Sequence, residues 1–205
     1  MLEYLHNTPV ASIIFIFTLV TSIYAFNDYS LFGKFMLHPY SVYRKQNVYT
    51  LITSGLIHAS WMHLFFNMFT FYAFAFALES TIGSVRFGMV YFIGLILSDI
   101  PSVIKHKNDF HYHSLGASGA ISAVLFSYIL FFPLNTLMIF PLPIPIWAAL
   151  FGVLYLLYSY YMSKNSRDNI NHDAHLFGAV TGIIVTILVT PGIVPHFIAA
   201  ITGQR

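Results

Sequence analysis

The sequence contains no cysteine among its 205 residues, and charged residues make up only 8% of it. The absence of cysteine excludes thiol catalysis, disulfide bonds and cysteine-based metal sites. An ordinary soluble domain carries roughly 25% charged residues, so this chain could not cover the surface of a water-soluble globule. A soluble enzyme, a nucleic-acid-binding protein and a disordered chain are therefore disfavoured, and the net charge of +2 indicates no polyanionic partner.

Apolar residues make up 58% of the chain, and the mean hydropathy is +0.74. A membrane-spanning helix needs about 20 apolar residues, so six such helices with short connections would use most of the length. The sequence predicts an all-α polytopic membrane protein that forms one domain over residues 1–205. The six predicted helices cover residues 10–26, 56–78, 87–104, 115–132, 142–162 and 174–190.

The basic residues are distributed unevenly among the predicted connections. Seven of the nine lie in the first, third and fifth connections, and only Arg86 and Arg205 lie on the other side. The positive-inside rule would place the seven-charge side in the cytoplasm and both termini outside. The long first connection, residues 27–54, is rich in aromatic residues and is predicted to be partly structured at the membrane interface.

Polar residues at membrane depth are costly and indicate function by default. In the second predicted helix His63 and Asn67 are four residues apart and share one face. The two side chains could both donate hydrogen bonds toward a single point. The alternative is that these side chains form interhelical hydrogen bonds that hold the bundle together.

The fourth predicted helix opens with Gly116-Ala117-Ser118-Gly119. A serine at a helix start has free backbone N–H groups nearby, and these donors could stabilise an oxyanion. Glycines on both sides of Ser118 allow another backbone to approach closely. The alternative is a small-residue packing face in which Ser118 has no chemical role.

The sixth predicted helix carries Gly178 and Gly182 on one face, with His175 on the same side. This face could pack on small residues of the fourth helix, such as Gly116, Gly119 and Ala120, and bring His175 within reach of Ser118.

These residues together predict a catalytic site. Ser118 would attack a carbonyl, and His175 would take the proton and return it to the leaving amine. His63, Asn67 and the backbone N–H of Ser118 would stabilise the developing negative charge. Asp173 lies two residues before His175 on another face of the helix, so a dyad is favoured over a triad.

Three motifs on three helices, taken in order, resemble those of the rhomboid intramembrane serine proteases over roughly residues 49–182. The matching residues are His58, His63 and Asn67, then Gly116, Ser118 and Gly119, then Ala174, His175, Gly178 and Gly182. Glu79 and Gly83 resemble the acidic residue and glycine that close the second helix in that family. The resemblance implies a six-transmembrane-helix rhomboid-like bundle with Ser118 as nucleophile and His175 as base, and with His58, Gly116, Gly119 and Gly178 in supporting positions.

The sequence departs from the family pattern at two places. Tyr49-Thr50 stands where many members have Trp-Arg. Ser122 stands where many members have a tyrosine that stacks on the catalytic histidine, so support for His175 must come from elsewhere. The resemblance also implies cytoplasmic termini and an active site toward the outer face, which is opposite to the charge rule. The compact form is typical of a prokaryotic inner membrane.

The resemblance implies that the substrates are transmembrane segments of other membrane proteins within the lipid bilayer, with no nucleic acid, cofactor or metal. The main alternative is a catalytically silent rhomboid-like protein that binds membrane clients. A zinc protease is disfavoured because no His-Glu-x-x-His motif occurs. An aspartyl protease is disfavoured because Asp99 has no partner in the predicted helices, and a transporter because no inverted repeat is visible.

Overall fold

The structure, a computed structural model, describes residues 6–139, 142–168 and 170–204. Most of this part of the chain is helical. The helices are α1 (Pro9–Ala25), α2 (Tyr29–Phe35), α3 (Pro39–Tyr43), α4 (Thr50–Thr53), α5 (Trp61–Ile82), α6 (Ser84–Lys105), α7 (Ser118–Phe131), α8 (Ala148–Asn165), α9 (His172–Val189) and α10 (Ile193–Thr202). The strands are β1 (Thr136–Ile139) and β2 (Leu142–Trp147).

Helix α7 is the centre of the bundle. Helices α5, α6 and α9 pack against it, α8 covers α9 and one side of α7, and α1 packs on α5. Ten of the 14 residues of α7 are buried. At about 1.5 Å per residue α7 is roughly 21 Å long, shorter than a hydrocarbon core of about 30 Å. The central helix is therefore too short to cross the hydrocarbon core by itself, and neighbouring segments must cover the remaining distance.

The outer faces of the helices are apolar, as contact with lipid requires. Phe17, Val20 and Leu188 are among the large apolar side chains that remain exposed. Within the described residues, α5, α6 and α9 are long and apolar enough to cross a bilayer, whereas α1 and α7 are apolar but shorter. The chain is a mostly helical, multi-pass membrane protein.

The all-α prediction is wrong for the connection before α8. Strands β1 and β2 pair antiparallel there, with Thr136 opposite Trp147 and Met138 opposite Pro145. Helix α8 consequently begins at Ala148 and not near Leu142. The physical reason is proline: Pro143 and Pro145 lack the N–H that a helix interior needs, but they are tolerated in an edge strand.

Two other predicted helix starts lie too early in the sequence. The second long helix begins at Trp61 and not near Leu56, because Ser54–Leu56 form a separate 3₁₀ turn and the Ser60 hydroxyl caps α5 by accepting the His63 N–H at 3.2 Å. The fourth begins at Ser118 and not at Leu115. Gly116 has φ +115°, outside the range of a right-handed helix.

Glu79 joins three helices at the end of the bundle where α5 meets α6. Its carboxylate accepts the backbone N–H groups of Val10 and Ala11, at 3.0 and 2.6 Å, and the Ser84 hydroxyl at 2.6 Å. The side chain is 1% exposed. Glu79 therefore satisfies free donors in the first turn of α1 and fixes α1 to α5 and α6.

The first and third connections lie together at one end of the bundle. Leu37 and Ser114 exchange two backbone hydrogen bonds, at 2.9 and 3.1 Å, and Arg44 Nη1 donates to the Lys107 carbonyl at 2.7 Å. The first connection is partly helical, through α2, α3 and α4. The segment that leads into α7 is thus held by the first connection.

Candidate active site

Ser118 is the first residue of α7, and its side chain is partly exposed. The residue before it, Ala117, has no side chain that could accept a hydrogen bond, and no side chain caps this helix start in the described part of the chain. The N–H groups of the first turn therefore have no intrahelical acceptor. A hydroxyl at this position lies beside donors that could stabilise an oxyanion.

Gly116 sets the path of the chain into Ser118. Its N–H donates to the Ser54 carbonyl at 2.9 Å, and its φ of +115° is a value that L residues rarely adopt. A Cβ at Gly116 would lie 2.8 Å from Nε2 of His63. Glycine is required here both by the backbone angle and by the imidazole ring packed against it.

Helices α7 and α9 meet backbone to backbone. A Cβ at Gly178 would lie 2.2 Å from the carbonyl oxygen of Gly119, and one at Gly182 would lie 2.2 Å from that of Ala123. Of the small residues predicted to pack on α9, Gly119 lies between α9 and α6, since a Cβ there would be 2.1 Å from Ser98 Oγ of α6. Ala120 lies beside Gly94 of α6, and Gly116 precedes α7 and lies against His63. The glycine face of α9 brings its first turns, with His175, to the start of α7.

His175 lies in the first turn of α9 and is partly exposed. The structure contains no hydrogen bond between Ser118 and His175, although it describes both residues. Neighbouring atoms are close: a Cβ at Gly119 would lie 3.4 Å from the carbonyl oxygen of Ala174. Catalytic hydrogen bonds are often long without substrate and tighten in the bound complex.

His63 faces the segment before Ser118 from α5. The Ala59 N–H donates to His63 Nδ1 at 3.4 Å, which makes Nδ1 the acceptor and leaves the ring proton on Nε2. Cε1 and Nε2 are the ring atoms that pack against Gly116. A donor is therefore directed toward the chain that carries the serine.

Asn67 is buried one turn further along α5. Its Nδ2 donates to the His63 carbonyl at 3.0 Å, and its Oδ1 has no hydrogen-bond partner among the described residues. One amide hydrogen of Asn67 therefore remains for another acceptor.

His58 is completely buried and ties the entry of α5 to α1. Its Nδ1 lies 2.9 Å from Ser22 Oγ, and Ser22 Oγ donates its own hydrogen to the Leu56 carbonyl. His58 is therefore the donor to Ser22. Its ring meets that of His63 edge to face at 4.9 Å. The supporting role of His58 remains a prediction.

The acidic residues near α9 bind partners other than His175. Asp173 forms an ion pair with Lys105 at 2.7 Å, at the C-terminal end of α6. Asp168 lies 3.2 Å from His172 Nε2. The backbone N–H of Ile170 donates to Asp168 and is the main cause that lowers the pKa of this carboxyl, so the group is ionised at neutral pH. Neither carboxylate hydrogen-bonds to His175 in the described structure.

Sequence reasoning missed Tyr155 of α8. Its ring stacks on His175 with centroids 6.4 Å apart and planes 29° apart, and its hydroxyl lies 2.8 Å from Ser122 Oγ. The departure at Ser122 was the available signal, because it left the histidine without its usual aromatic neighbour. Nothing in the sequence indicated which of the many tyrosines would replace it.

Within the residues that the structure describes, no three His, Asp or Glu side chains are grouped so that they could hold a metal ion.

Comparison with known proteins decides the family. Residues 45–192 match the family model of the Rhomboid domain, and this range includes all three motifs. The chain belongs to the rhomboid family. This membership confirms the resemblance, and with it the expectation of a rhomboid-like membrane bundle.

Two relatives support the rhomboid assignment. "Putative rhomboid protease YdcA" of Bacillus subtilis (strain 168) is 34% identical over 144 residues, which are 67% of this chain and 65% of that protein. "RHOMBOID-like protein 12, mitochondrial" of Arabidopsis thaliana is 25% identical over 183 residues, 82% of this chain and 54% of that protein. This rhomboid chain thus spans less than two thirds of the length of each of these relatives.

Proposed function

We propose that this rhomboid-family chain is an intramembrane serine endopeptidase that uses Ser118 and His175 as a dyad. The observation that carries the proposal is the contact of Gly178 with Gly119, which brings the first turns of α7 and α9 together. A serine hydroxyl needs a base to become nucleophilic, and His175 is the histidine on the glycine face that meets the serine helix.

In the proposed reaction, His175 takes the proton from Ser118 Oγ as the oxygen attacks the scissile carbonyl. The Oγ–C bond forms, and the carbonyl oxygen becomes negatively charged. The first-turn N–H of α7, His63 Nε2–H and the remaining amide hydrogen of Asn67 are the donors that would stabilise it. The C–N bond then breaks, and the amine leaves with the proton held on His175. In the second half of the reaction His175 takes a proton from water as the water oxygen attacks the acyl-enzyme. The ester bond to Ser118 then breaks, and His175 returns the proton to Ser118 Oγ.

The proposed substrates are transmembrane segments of other membrane proteins. A helical segment offers no accessible carbonyl, since every backbone acceptor is used internally. The segment must therefore unwind locally before its carbonyl can reach Ser118. The short central helix and the partly exposed serine at its start support entry of such a segment from the membrane surface.

The proposed location is the inner membrane of a prokaryotic cell, with cytoplasmic termini and the third connection outside. The bacterial relative supports the choice of cell type.

The decisive experiment combines cleavage of a helical membrane substrate with labelling by a fluorophosphonate probe. Wild type should cleave and be labelled; Ser118→Ala should do neither, and His175→Ala should lose nearly as much because the dyad acts as a unit. Ser122→Ala would be a poor control because it is close to the site, so Ser163→Ala on α8 is preferred. Cleavage by Ser118→Ala at the wild-type rate would disprove the nucleophile assignment.

A catalytically silent relative that binds membrane clients is the second candidate. The relative named "RHOMBOID-like protein 12, mitochondrial", whose name does not call it a protease, leaves this second function open. Such a protein would bind a transmembrane segment without cleaving it, and the probe would not label Ser118 in the wild type.

A further inference from the structure

Tyr155 contacts the helices of both proposed catalytic residues from a third helix, α8. Its ring stacks on the imidazole of His175, at a centroid separation of 6.4 Å that falls within the range of favourable aromatic pairs. Its hydroxyl lies 2.8 Å from Ser122 Oγ on α7. The rings of Phe126 and Phe151 also pack against the tyrosine ring, with centroids 5.5 and 5.8 Å away.

The donor and the acceptor can be assigned in both hydrogen bonds of the Ser122 hydroxyl. Ser122 Oγ donates to the backbone carbonyl of Ser118 at 2.9 Å, and a hydroxyl has only one hydrogen to give. Tyr155 must therefore be the donor to Ser122. A continuous chain results, in which the Tyr155 hydroxyl donates to Ser122 and Ser122 donates to the carbonyl of the nucleophile's own residue.

We propose that Tyr155 is a positioning residue that fixes His175 relative to Ser118, with Ser122 as its hydrogen-bonding partner. The inference rests on the proposed endopeptidase function. Ser118 and His175 lie on different helices, and the glycine contact sets how closely those helices approach but not how the imidazole is turned. Tyr155 holds the imidazole plane with its ring and the α7 backbone with its hydroxyl.

The small side chain of Ser122 and the large ring of Tyr155 together position His175. Serine at position 122 leaves room for a ring that enters from α8, and its hydroxyl is the anchor for that ring. The stacking aromatic that the family resemblance implies at position 122 is therefore supplied here by a neighbouring helix. The two residues should depend on each other, and this dependence can be measured.

The test is a double-mutant cycle with Tyr155→Phe and Ser122→Ala, measured as kcat and KM for cleavage and as the rate of Ser118 labelling. Each single change deletes the Tyr155–Ser122 hydrogen bond and should lower kcat about two- to tenfold, with KM unchanged. Ser122→Ala also deletes the hydrogen bond to the Ser118 carbonyl, so it should be the slower of the two. The double variant should be no slower than the slower single variant. Tyr155→Leu also removes the stacked ring and should be slower still, on the order of 100-fold below wild type.

Tyr161→Phe is the matched control, because it removes a tyrosine hydroxyl from the same helix at a side chain that is 63% exposed. It should keep the wild-type rate. Three outcomes would overturn the inference. The first is a double variant whose loss of kcat equals the product of the two single losses. The others are changes in KM alone, or wild-type rates in both single variants. If Tyr155→Leu does not fold, the cycle of the two conservative changes decides alone.

The two proposals fail in different ways. If Ser118→Ala still cleaves at the wild-type rate, the Ser118–His175 dyad is wrong and the positioning role is lost with it. If Ser118→Ala and His175→Ala are inactive but Tyr155→Phe and Ser122→Ala act independently, the dyad stands and only the positioning role is overturned.

Discussion

Gly178 faces Gly119 so closely that a Cβ on Gly178 would lie 2.2 Å from the Gly119 carbonyl oxygen and 3.1 Å from its Cα. Real Cβ atoms do not approach a backbone this closely. Even alanine would force α9 away from α7, and with it His175 away from Ser118. The positions of the two proposed catalytic residues therefore depend on the absence of a single methyl group.

We expect Gly178→Ala to lower the cleavage rate on the order of 100-fold, because a shift of about 1 Å in reacting groups has an effect of that size. Gly88→Ala is the matched control. It is also a helical glycine, but the nearest atom to its Cβ position is Val10 Cγ1 at 4.0 Å. Cleavage and probe labelling should be normal in Gly88→Ala. Full activity in Gly178→Ala would show that the close contact is not what joins serine to histidine.

Asn67→Ala should lower turnover more than apparent affinity. Removal of one oxyanion donor lowers kcat about 10²–10³-fold in a well-studied serine protease, and we expect less here because His63 and the α7 backbone donors remain. Separate measurement of kcat and KM checks this. Asn27→Ala, which removes a similar bond from Nδ2 to the carbonyl four residues earlier, serves as the control. A change in KM alone would make Asn67 an interhelical packing residue.

Glu79→Ala should lower thermal stability in detergent, because it leaves the buried N–H of Ala11 and the partly buried N–H of Val10 without an acceptor. Bonds to a charged group contribute about 1.5–3 kcal/mol. Asp28→Ala is the comparison, since Asp28 accepts two backbone N–H groups at the start of α2 but is only partly buried. Equal losses of stability in the two variants would argue against a special role for the buried carboxylate.

The orientation in the membrane can be measured directly, because the native sequence has no cysteine. Asn108→Cys and Gln204→Cys place single thiols on exposed residues of the third connection and the C-terminal end. In intact cells an impermeant thiol reagent should label Asn108→Cys and leave Gln204→Cys unlabelled until the cells are opened. The reverse pattern would mean that the positive-inside rule, and not the family topology, holds for this chain.

The long helices were predictable from apolar length alone, and their boundaries at α1, α6 and α9 lie within a few residues of those expected. The errors lie where local backbone chemistry overrides hydropathy. Pro143 and Pro145 turn an apolar run into a strand, and the φ of Gly116 delays α7 to Ser118. Hydropathy cannot register either effect, because it ignores missing N–H groups and backbone angles.

The candidate site also contains residues that the sequence predicted and one that it did not. Ser118, His175, His63 and Asn67 were found because their spacing along helices has a chemical meaning. Tyr155 has no such spacing relative to His175 or Ser122: its contacts are made between helices and exist only once the bundle is assembled. Residues of that kind become visible from packing, not from sequence.

The two hydrogen bonds between Leu37 and Ser114 have a further consequence. Ser114 is four residues before Ser118, and Leu37 belongs to a connection that lies outside the long helices. A ligand, antibody or lipid that displaces the first connection would pull on the segment that carries the proposed nucleophile, without entering the candidate active site. Reactivity at Ser118 should therefore respond to events at the membrane surface, through a path of only four residues.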